Sequence, residues 1–241
     1  MNILIDIGNS RIKYVVEKAG QLSEIKHCVG DQLIATLELL TITQPINKIL
    51  LVSVHEQAIT KQLERWATTQ QLELILLTSA GSAFGVTNGY QNYSQMGADR
   101  WLAILGAQQL YPNQTLLIVD SGTATTIDLL SCNDEHLGGW IIPGVDMMMD
   151  SLFNNTKRVA GESGTIDELA FGFNTNDNVN LGCWSATVGA VELAKSTVES
   201  LNLTLDKIIY TGGNGSELNR LNKSSSAYCK ELIFLGMQRS I

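Results

Sequence analysis

The stretch Leu116-Leu117-Ile118-Val119-Asp120-Ser121-Gly122-Thr123-Ala124-Thr125-Thr126-Ile127-Asp128-Leu129-Leu130 constrains the rest of the chain more than any other. An apolar run breaks off at Asp-Ser-Gly-Thr and a second β-branched run follows, which predicts a hairpin with both arms partly buried. Gly122 permits backbone angles closed to other residues. Successive N–H groups in such a turn form a nest for an anion, and Thr123 and Thr126 add hydroxyls. Asp120 at the mouth of the turn suits a metal ion held between carboxylate and phosphate. An ordinary tight hairpin with a turn-forming Asp and Gly accounts for the same residues. The N-terminus, however, repeats the plan. Ile3-Leu4-Ile5-Asp6-Ile7-Gly8-Asn9-Ser10-Arg11-Ile12-Lys13-Tyr14-Val15-Val16 is again strand, Asp-x-Gly, polar residues, strand. Asp6 matches Asp120, Gly8 matches Gly122, and Asn9-Ser10 matches Thr123-Ala124. Such repetition predicts two related lobes, each offering a phosphate loop to a nucleotide held in the cleft between them.

Composition narrows the class. The 241 residues suffice for one large domain or two ordinary ones, and 44% hydrophobic with 17% charged residues predicts a soluble globular protein. A formal net charge of -8 and a pI near 4.9 argue against a nucleic-acid surface, which needs clustered Lys and Arg. Met1 runs directly into a predicted strand, so no signal peptide is expected. No apolar run approaches the length that crosses a bilayer, and the expected location is the cytoplasm. Cys28, Cys132, Cys183 and Cys229 lack CxxC spacing and are expected to be reduced and buried. His27, His55 and His136 show no metal-ligand spacing and are expected to be structural.

Along the chain, Gln21 to Cys28 predicts a third antiparallel strand, and Asp31 to Leu40 a helix with Asp31 as its N-cap. Lys48 to Val54 reads as a buried strand, Ile59, Leu63 and Trp66 mark an amphipathic helix, and Leu72 to Leu77 is another strand. Strands separated by helices imply a partly parallel sheet. Asn88 to Gln95 is polar, aromatic and loop-like, and a helix opening at Met96 places Asp99 and Arg100 in its first turn. The helix dipole favours Asp there but not Arg, which directs Arg100 to a ligand or a carboxylate. Tyr111-Pro112-Asn113 breaks the helix and sets the expected lobes at 1–112 and 113–241. His136 to Gly144 is a strand whose glycines predict a bulge or a close approach by substrate or nucleotide. Val145 to Phe153 predicts a short helix with Met147, Met148 and Met149 as core filler, and Asn154 to Gly172 a loop. Asn174 to Asp177 starts a long helix whose Gly182, Ala186, Gly189 and Ala190 let a second helix pack closely. Lys207 to Tyr210 is a strand delivering Thr211-Gly212-Gly213-Asn214-Gly215, a turn where nothing protrudes and a flat nucleoside fits. A short helix and a strand from Leu232 to Leu235 close the chain. No Walker-type lysine loop is present, which excludes a P-loop kinase.

Four motifs thus stand in order: Asp6-x-Gly8-Asn9-Ser10, Gly97-Ala98-Asp99-Arg100, Asp120-x-Gly122-Thr123-Ala124-x-Thr126 and Thr211-Gly212-Gly213. The set resembles type III pantothenate kinase, a branch of the actin-like, sugar-kinase and heat-shock-chaperone ATPase superfamily, over almost the whole chain. Gly138 to Gly144 and Asn88 to Tyr90 fit the same family. The resemblance implies an α/β fold of two ribonuclease-H-like lobes, each a mixed sheet with flanking helices. It also implies ATP-dependent phosphorylation of pantothenate to 4'-phosphopantothenate, the first step of coenzyme A synthesis.

Carried over by residue, the resemblance makes Asp6 the magnesium anchor of a first phosphate motif that includes Ile7, Gly8, Asn9 and Ser10. Gly122, Thr123, Ala124 and Thr126 form the second phosphate motif, and Gly212 and Gly213 the adenosine motif. Asp99 matches the general base, while Tyr90, Gly97, Ala98 and Arg100 match the pantothenate site. The resemblance further implies a homodimer in which Thr175 reaches the partner's pantothenate, and a monovalent cation, potassium or ammonium, near Asp120. Lys13 is a strand-face residue and a candidate ATP contact. Tyr93-Ser94-Gln95 departs from the family, which often has a proline there, and Ser10 stands where threonine is frequent. The rival readings are another small-molecule kinase or phosphatase of the superfamily, a filament-forming actin-like protein, and a degenerate relative acting as a transcription accessory factor. Retention of both Asp6 and Asp99 favours the enzyme. Phosphoryl transfer needs held phosphates, a cation and an oriented hydroxyl, and these motifs supply candidates for each. Whether Arg100 meets pantothenate or the transferred phosphoryl group stays open.

Overall fold

The computed structural model describes residues 1–241 except 9–10, 54–56, 156–160 and 223–224. Two compact units emerge, the first made of Met1–Phe84, Tyr90–Gln109 and Glu231–Ile241, the second of Gly85–Gly89 and Leu110–Lys230.

In the first unit, β1 (Asn2–Ile7) is buried along its whole length. It pairs antiparallel with β2 (Ile12–Lys18), which in turn carries β3 (Gln21–Leu22) and β4 (Lys26–Cys28). The third strand expected over Gln21 to Cys28 is therefore two short ones. Helix α1 (Leu33–Thr43) leads to β5 (Lys48–Ser53), parallel to β1, and α2 (Gln57–Thr69) leads to β6 (Glu73–Leu76), parallel to β5. Parallel neighbours require such crossovers, and the apolar faces of both helices meet the sheet in one core around Ile5, Leu37, Leu51 and Leu63. Asp31 is not the N-cap of α1. It sits inside a 3₁₀ turn, Gly30–Gln32, and Gln32 caps the helix without a side-chain bond. After the two-residue strand β7 (Ser82–Ala83) and a 3₁₀ turn over Tyr93–Gln95 comes α3 (Ala98–Leu110). Its residues from Arg100 to Ala107 are all buried, so this helix is enclosed rather than amphipathic.

The second unit begins with the short β8 (Val86–Thr87) and is built on β9 (Leu116–Ser121) and β10 (Ala124–Leu130), the predicted hairpin. Strand β11 (His136–Pro143) pairs antiparallel with β10 through a bulge at Leu129/Leu130, where Gly138 takes φ +112°. Helix α4 (Val145–Asn155) follows, then α5 (Thr175–Ser200), whose N-cap Asn174 accepts the N–H of Asp177 at 2.9 Å. Strand β12 (Lys207–Thr211) runs parallel to β9, α6 (Gly215–Leu221) leaves it, and β13 (Ser226–Tyr228) lies parallel to β12. Trp184 of α5 is buried against this sheet with Leu117, Val119 and Tyr210. Each unit therefore repeats one arrangement: a hairpin whose first strand has an antiparallel partner on one side and a parallel strand on the other.

Several expectations need correction. Leu232 to Leu235 is helix, part of α7 (Leu232–Gln238), which returns to the first unit and crosses α3. Gly236 and Gly106 make that crossing close: a Cβ on Gly236 would stand 2.0 Å from the Leu102 carbonyl oxygen, and one on Gly106 2.2 Å from that of Leu232. Of the cysteines only Cys183 is buried, and Cys132, in the turn after β10, is exposed; all four are free thiols. Met149 is core, whereas Met147 is exposed, because α4 has only one face against the sheet. His136 is buried and pairs with Asp128 at 3.0 Å, His27 is exposed, and His55 lies outside the described residues. Among the described residues no helix is long and apolar enough to cross a membrane.

Candidate functional site

The first Asp-x-Gly turn follows β1. Asp6 is the penultimate residue of that strand, only 5% exposed, with Lys13 opposite it on β2 and Lys13 Nζ 3.9 Å from its carboxylate. Ile7 is buried and Gly8 donates its N–H to the Arg11 carbonyl at 3.2 Å, closing the turn. Asn9 and Ser10 lie outside the described residues.

The second turn is built the same way, and two glycines pack its walls. Asp120 is again the penultimate residue of its strand, opposite Thr126 on β10 and beside Thr211 on β12. Gly122 donates to the Ala124 carbonyl at 2.9 Å, and beneath the turn Ser121 and Thr125 share a buried hydroxyl contact of 2.9 Å. Thr123 and Ala124 are exposed at its tip. The Pro143-Gly144 element closes on the turn from one side. Gly144 donates to the Thr123 carbonyl at 3.0 Å, and a Cβ there would lie 2.1 Å from the Gly122 oxygen. Of the two alternatives read for this strand's glycines, a bulge or a close approach, the bulge falls beside Gly138, and at Gly144 the close approach is by the protein's own backbone.

The Thr211-Gly212-Gly213 turn closes from the other side. Gly212 has φ +84°, and a Cβ on it would stand 2.4 Å from Asp120 Oδ1 and 2.5 Å from the Ser121 oxygen. Asn214 donates its N–H to the same Ser121 oxygen at 2.9 Å and its amide to Asp146 at 3.2 Å. Within this unit the second phosphate motif and the adenosine motif are adjacent. Gly213 and Gly122 face open space, where a Cβ would meet nothing within 4 Å.

The helix expected to open at Met96 begins at Ala98, and Asp99 and Arg100 occupy its first turn. Asp99 Oδ1 accepts the N–H of Arg100 at 2.8 Å, and Gly97 leaves room for that carboxylate, since a Cβ there would come within 2.5 Å of it. Arg100 is 6% exposed and its Nη1 donates to the Tyr90 hydroxyl at 2.8 Å. The structure therefore brings Tyr90, Gly97, Ala98, Asp99 and Arg100 together in the first unit. Thr175 belongs to the second unit, exposed at the start of α5 on an apolar groove of about 680 Å³ lined also by Met147, Leu152, Val179 and Ala186.

Among the described residues no group of three or more His, Cys, Asp or Glu is arranged to hold a metal ion. A family model of type III pantothenate kinase matches residues 2–196. This chain belongs to the type III pantothenate kinase family. The type III pantothenate kinase of Colwellia psychrerythraea is 36% identical to it over 248 residues, covering 99% of both chains. A solved Campylobacter jejuni chain, described as a conserved member of a Baf transcriptional-activator family, superposes with a TM-score of 0.61 at 26% identity, over 98% of this chain and 96% of that one. MreB5 of Spiroplasma citri, bound to ADP, gives a TM-score of 0.52 at 12% identity over 99% and 95% of the chains, a likeness of fold. The fold is that of the actin-like and sugar-kinase group.

For a type III pantothenate kinase the sequence reading missed two supports. Gly144 carried a signal, the Pro-Gly after an apolar strand, but its partner is visible only once β11 is laid beside β10. Gly89 packs its backbone on the His136 carbonyl, where a Cβ would lie 2.0 Å from the oxygen, and His136 is itself held by Asp128. No local pattern announces that contact, because its two halves lie far apart in sequence.

Proposed function

We propose that this kinase transfers the γ-phosphoryl group of ATP to the 4'-hydroxyl of pantothenate, the first step of coenzyme A synthesis. Besides the family assignment, the observation that carries this reading is the partly buried hydrogen bond from the buried Arg100 to Tyr90, one residue from Asp99. A guanidinium held by a phenol and largely withdrawn from water is suited to a small carboxylate carrying hydroxyls. In the reaction the 4'-hydroxyl oxygen forms the new bond to phosphorus as the bond to the ADP oxygen breaks. The hydroxyl proton passes to the Asp99 carboxylate. Gly97 and Ala98 supply the main chain beside that carboxylate.

ATP phosphates are assigned to the two Asp-x-Gly turns: Asp6, Ile7, Gly8, Asn9 and Ser10 with Lys13 nearby, and Gly122, Thr123, Ala124 and Thr126. The open faces of Gly122 and Gly213 support close approach by phosphate and by adenosine, and Gly212 and Gly213 are assigned to the latter. Magnesium is assigned to Asp6. This ion binds through one or two carboxylates together with substrate phosphates and needs no three-ligand cage, so a single withdrawn carboxylate at a phosphate turn fits it. When bound it neutralises charge on the phosphates. A monovalent cation, potassium or ammonium, is assigned to the neighbourhood of Asp120. The functional lobes are taken as 1–112 and 113–241, the active unit as a homodimer to which Thr175 contributes, and the location as the cytoplasm.

The test is ATP consumption by purified protein with and without pantothenate, across magnesium concentrations and with sodium, potassium or ammonium. Turnover that requires pantothenate and a divalent ion is expected. Turnover indifferent to pantothenate in every salt would end this reading and favour another kinase of the superfamily. The transcriptional role named for the Campylobacter protein finds little support here, since a net charge of -8 opposes direct contact with nucleic acid.

A further inference from the structure

Arg239 follows the last turn of α7, and its guanidinium reaches two segments at once. Nη1 donates to the Leu105 carbonyl at 2.9 Å and to Gln108 Oε1 at 2.8 Å, both on α3. Nη2 donates to the Phe84 carbonyl at 3.2 Å, and the guanidinium carbon lies 4.5 Å from the centre of the Phe84 ring. A planar fork of donors lets one side chain hold main-chain oxygens on both segments while stacking on an aromatic face, which an ammonium could not do. Helix α3 carries Arg100, and Phe84 precedes Tyr90 by six residues in the chain.

Phe84 is itself unusual. It has φ +51° and is followed by Gly85 at φ +88°. A bulky residue with positive φ is strained and persists only where its surroundings hold it. Arg239 supplies such a hold, on the Phe84 oxygen and on its ring. The arginine is carried by a firm support, because the Gly106–Gly236 crossing presses α7 onto α3 backbone to backbone.

We infer that Arg239 is a positioning residue for the substrate pair: by tying Phe84 to α3 it fixes where Tyr90 stands relative to Arg100 and Asp99. This rests on the assignment of Tyr90 and Arg100 to pantothenate. A side chain remote from the chemistry matters in this way because small misplacements of binding groups are costly to rate and affinity.

Steady-state kinetics per folded molecule, with KM for pantothenate and for ATP measured separately, test it on the full-length enzyme. Arg239→Ala is expected to raise KM for pantothenate about tenfold while KM for ATP moves less than about twofold. Arg239→Lys keeps the charge but not the fork or the stack, and should recover only part of the loss. A less stable Arg239→Ala enzyme with unchanged KM for pantothenate overturns the inference, leaving the arginine a stabilising clamp. Tyr90→Phe is run alongside. If it raises KM for pantothenate and Arg239→Ala does not, the inference alone fails. If Tyr90→Phe leaves that KM unchanged, the pantothenate assignment fails and takes the inference with it. Should Arg239→Ala not fold, Phe84→Leu decides, since Phe84 is 46% exposed and is not among the buried core residues. A rise of about threefold in KM for pantothenate is expected from it, and no change overturns the inference.

Discussion

Asp99 has two possible roles that differ in size. In the first turn of a helix an aspartate is stabilised by the dipole by roughly 0.3–1 kcal/mol. It also accepts the Arg100 N–H, a bond that the oxygen of an asparagine would keep. If these were its whole role, Asp99→Asn would cost little. An amide is not basic, however, so loss of a general base slows turnover by about 10²–10⁴-fold. Asp99→Asn is expected to melt near the wild-type temperature and still bind ATP while turnover falls by at least about 10²-fold. Reduced stability with unchanged turnover per folded molecule would return Asp99 to a capping role. The position of Asp99 and Arg100 was legible to within two residues, a start at Met96 expected against Ala98 found, because a run of apolar residues follows them while burial on every side of α3 leaves no periodicity to mark its first residue. The Arg100–Tyr90 bond was not, since it joins a helix to an irregular loop whose path no periodicity encodes.

At the scale of elements, the two hairpins could be read directly: β-branched runs around Asp-x-Gly leave few alternatives. Helix α7 could not. Four consecutive apolar residues, Leu232-Ile233-Phe234-Leu235, suit a buried strand as well as a buried helix, and the deciding feature is Gly236 against Leu102, on another element. The glycines around the second phosphate turn separate structural from ligand roles. A Cβ at Gly144 would enter the Gly122 and Thr123 carbonyls, at 2.1 and 2.5 Å, so Gly144→Ala should destabilise the protein by about 1–3 kcal/mol as overpacking does. A Cβ at Gly213 meets only open space, so Gly213→Ala should melt normally yet raise KM for ATP. Thermal melts with ATP titrations check both. A destabilised Gly213→Ala enzyme with normal KM for ATP would count against the adenosine assignment. Strand β12 carries a pH signature as well. Burial pushes the Tyr210 hydroxyl from 10.0 up to about 12, the bond from Asn222 opposes this, and Glu192 adds to it. The native state thus keeps a proton that the unfolded chain releases near pH 10. Stability from this group is complete below about pH 10 and is lost as pH rises towards about 12, by roughly 2–3 kcal/mol. Denaturant midpoints from pH 9 to 12 should fall more steeply for the wild type than for Tyr210→Phe, and parallel curves would refute it.

For the molecule as a whole, the duplicated Asp-x-Gly hairpin foretold the duplicated sheet arrangement. The proposed homodimer has a candidate surface in the second unit. Phe171 and Phe173 are 94% and 99% exposed just before α5, and the groove beside Thr175 is apolar, features that fit a covered surface. Sedimentation is expected to give a dimer at assay concentrations, and a fully active monomer would contradict that. The chemistry itself is narrower: one phosphoryl group is expected to pass from ATP to the 4'-hydroxyl of pantothenate, with Asp99 taking the proton. Phosphorus NMR of the reaction mixture tests it most directly. A new phosphomonoester of pantothenate is expected to rise one-for-one with ADP in the wild type and to be nearly absent with Asp99→Asn. ADP and inorganic phosphate accumulating without that ester, or equal ester formation by Asp99→Asn, would contradict it.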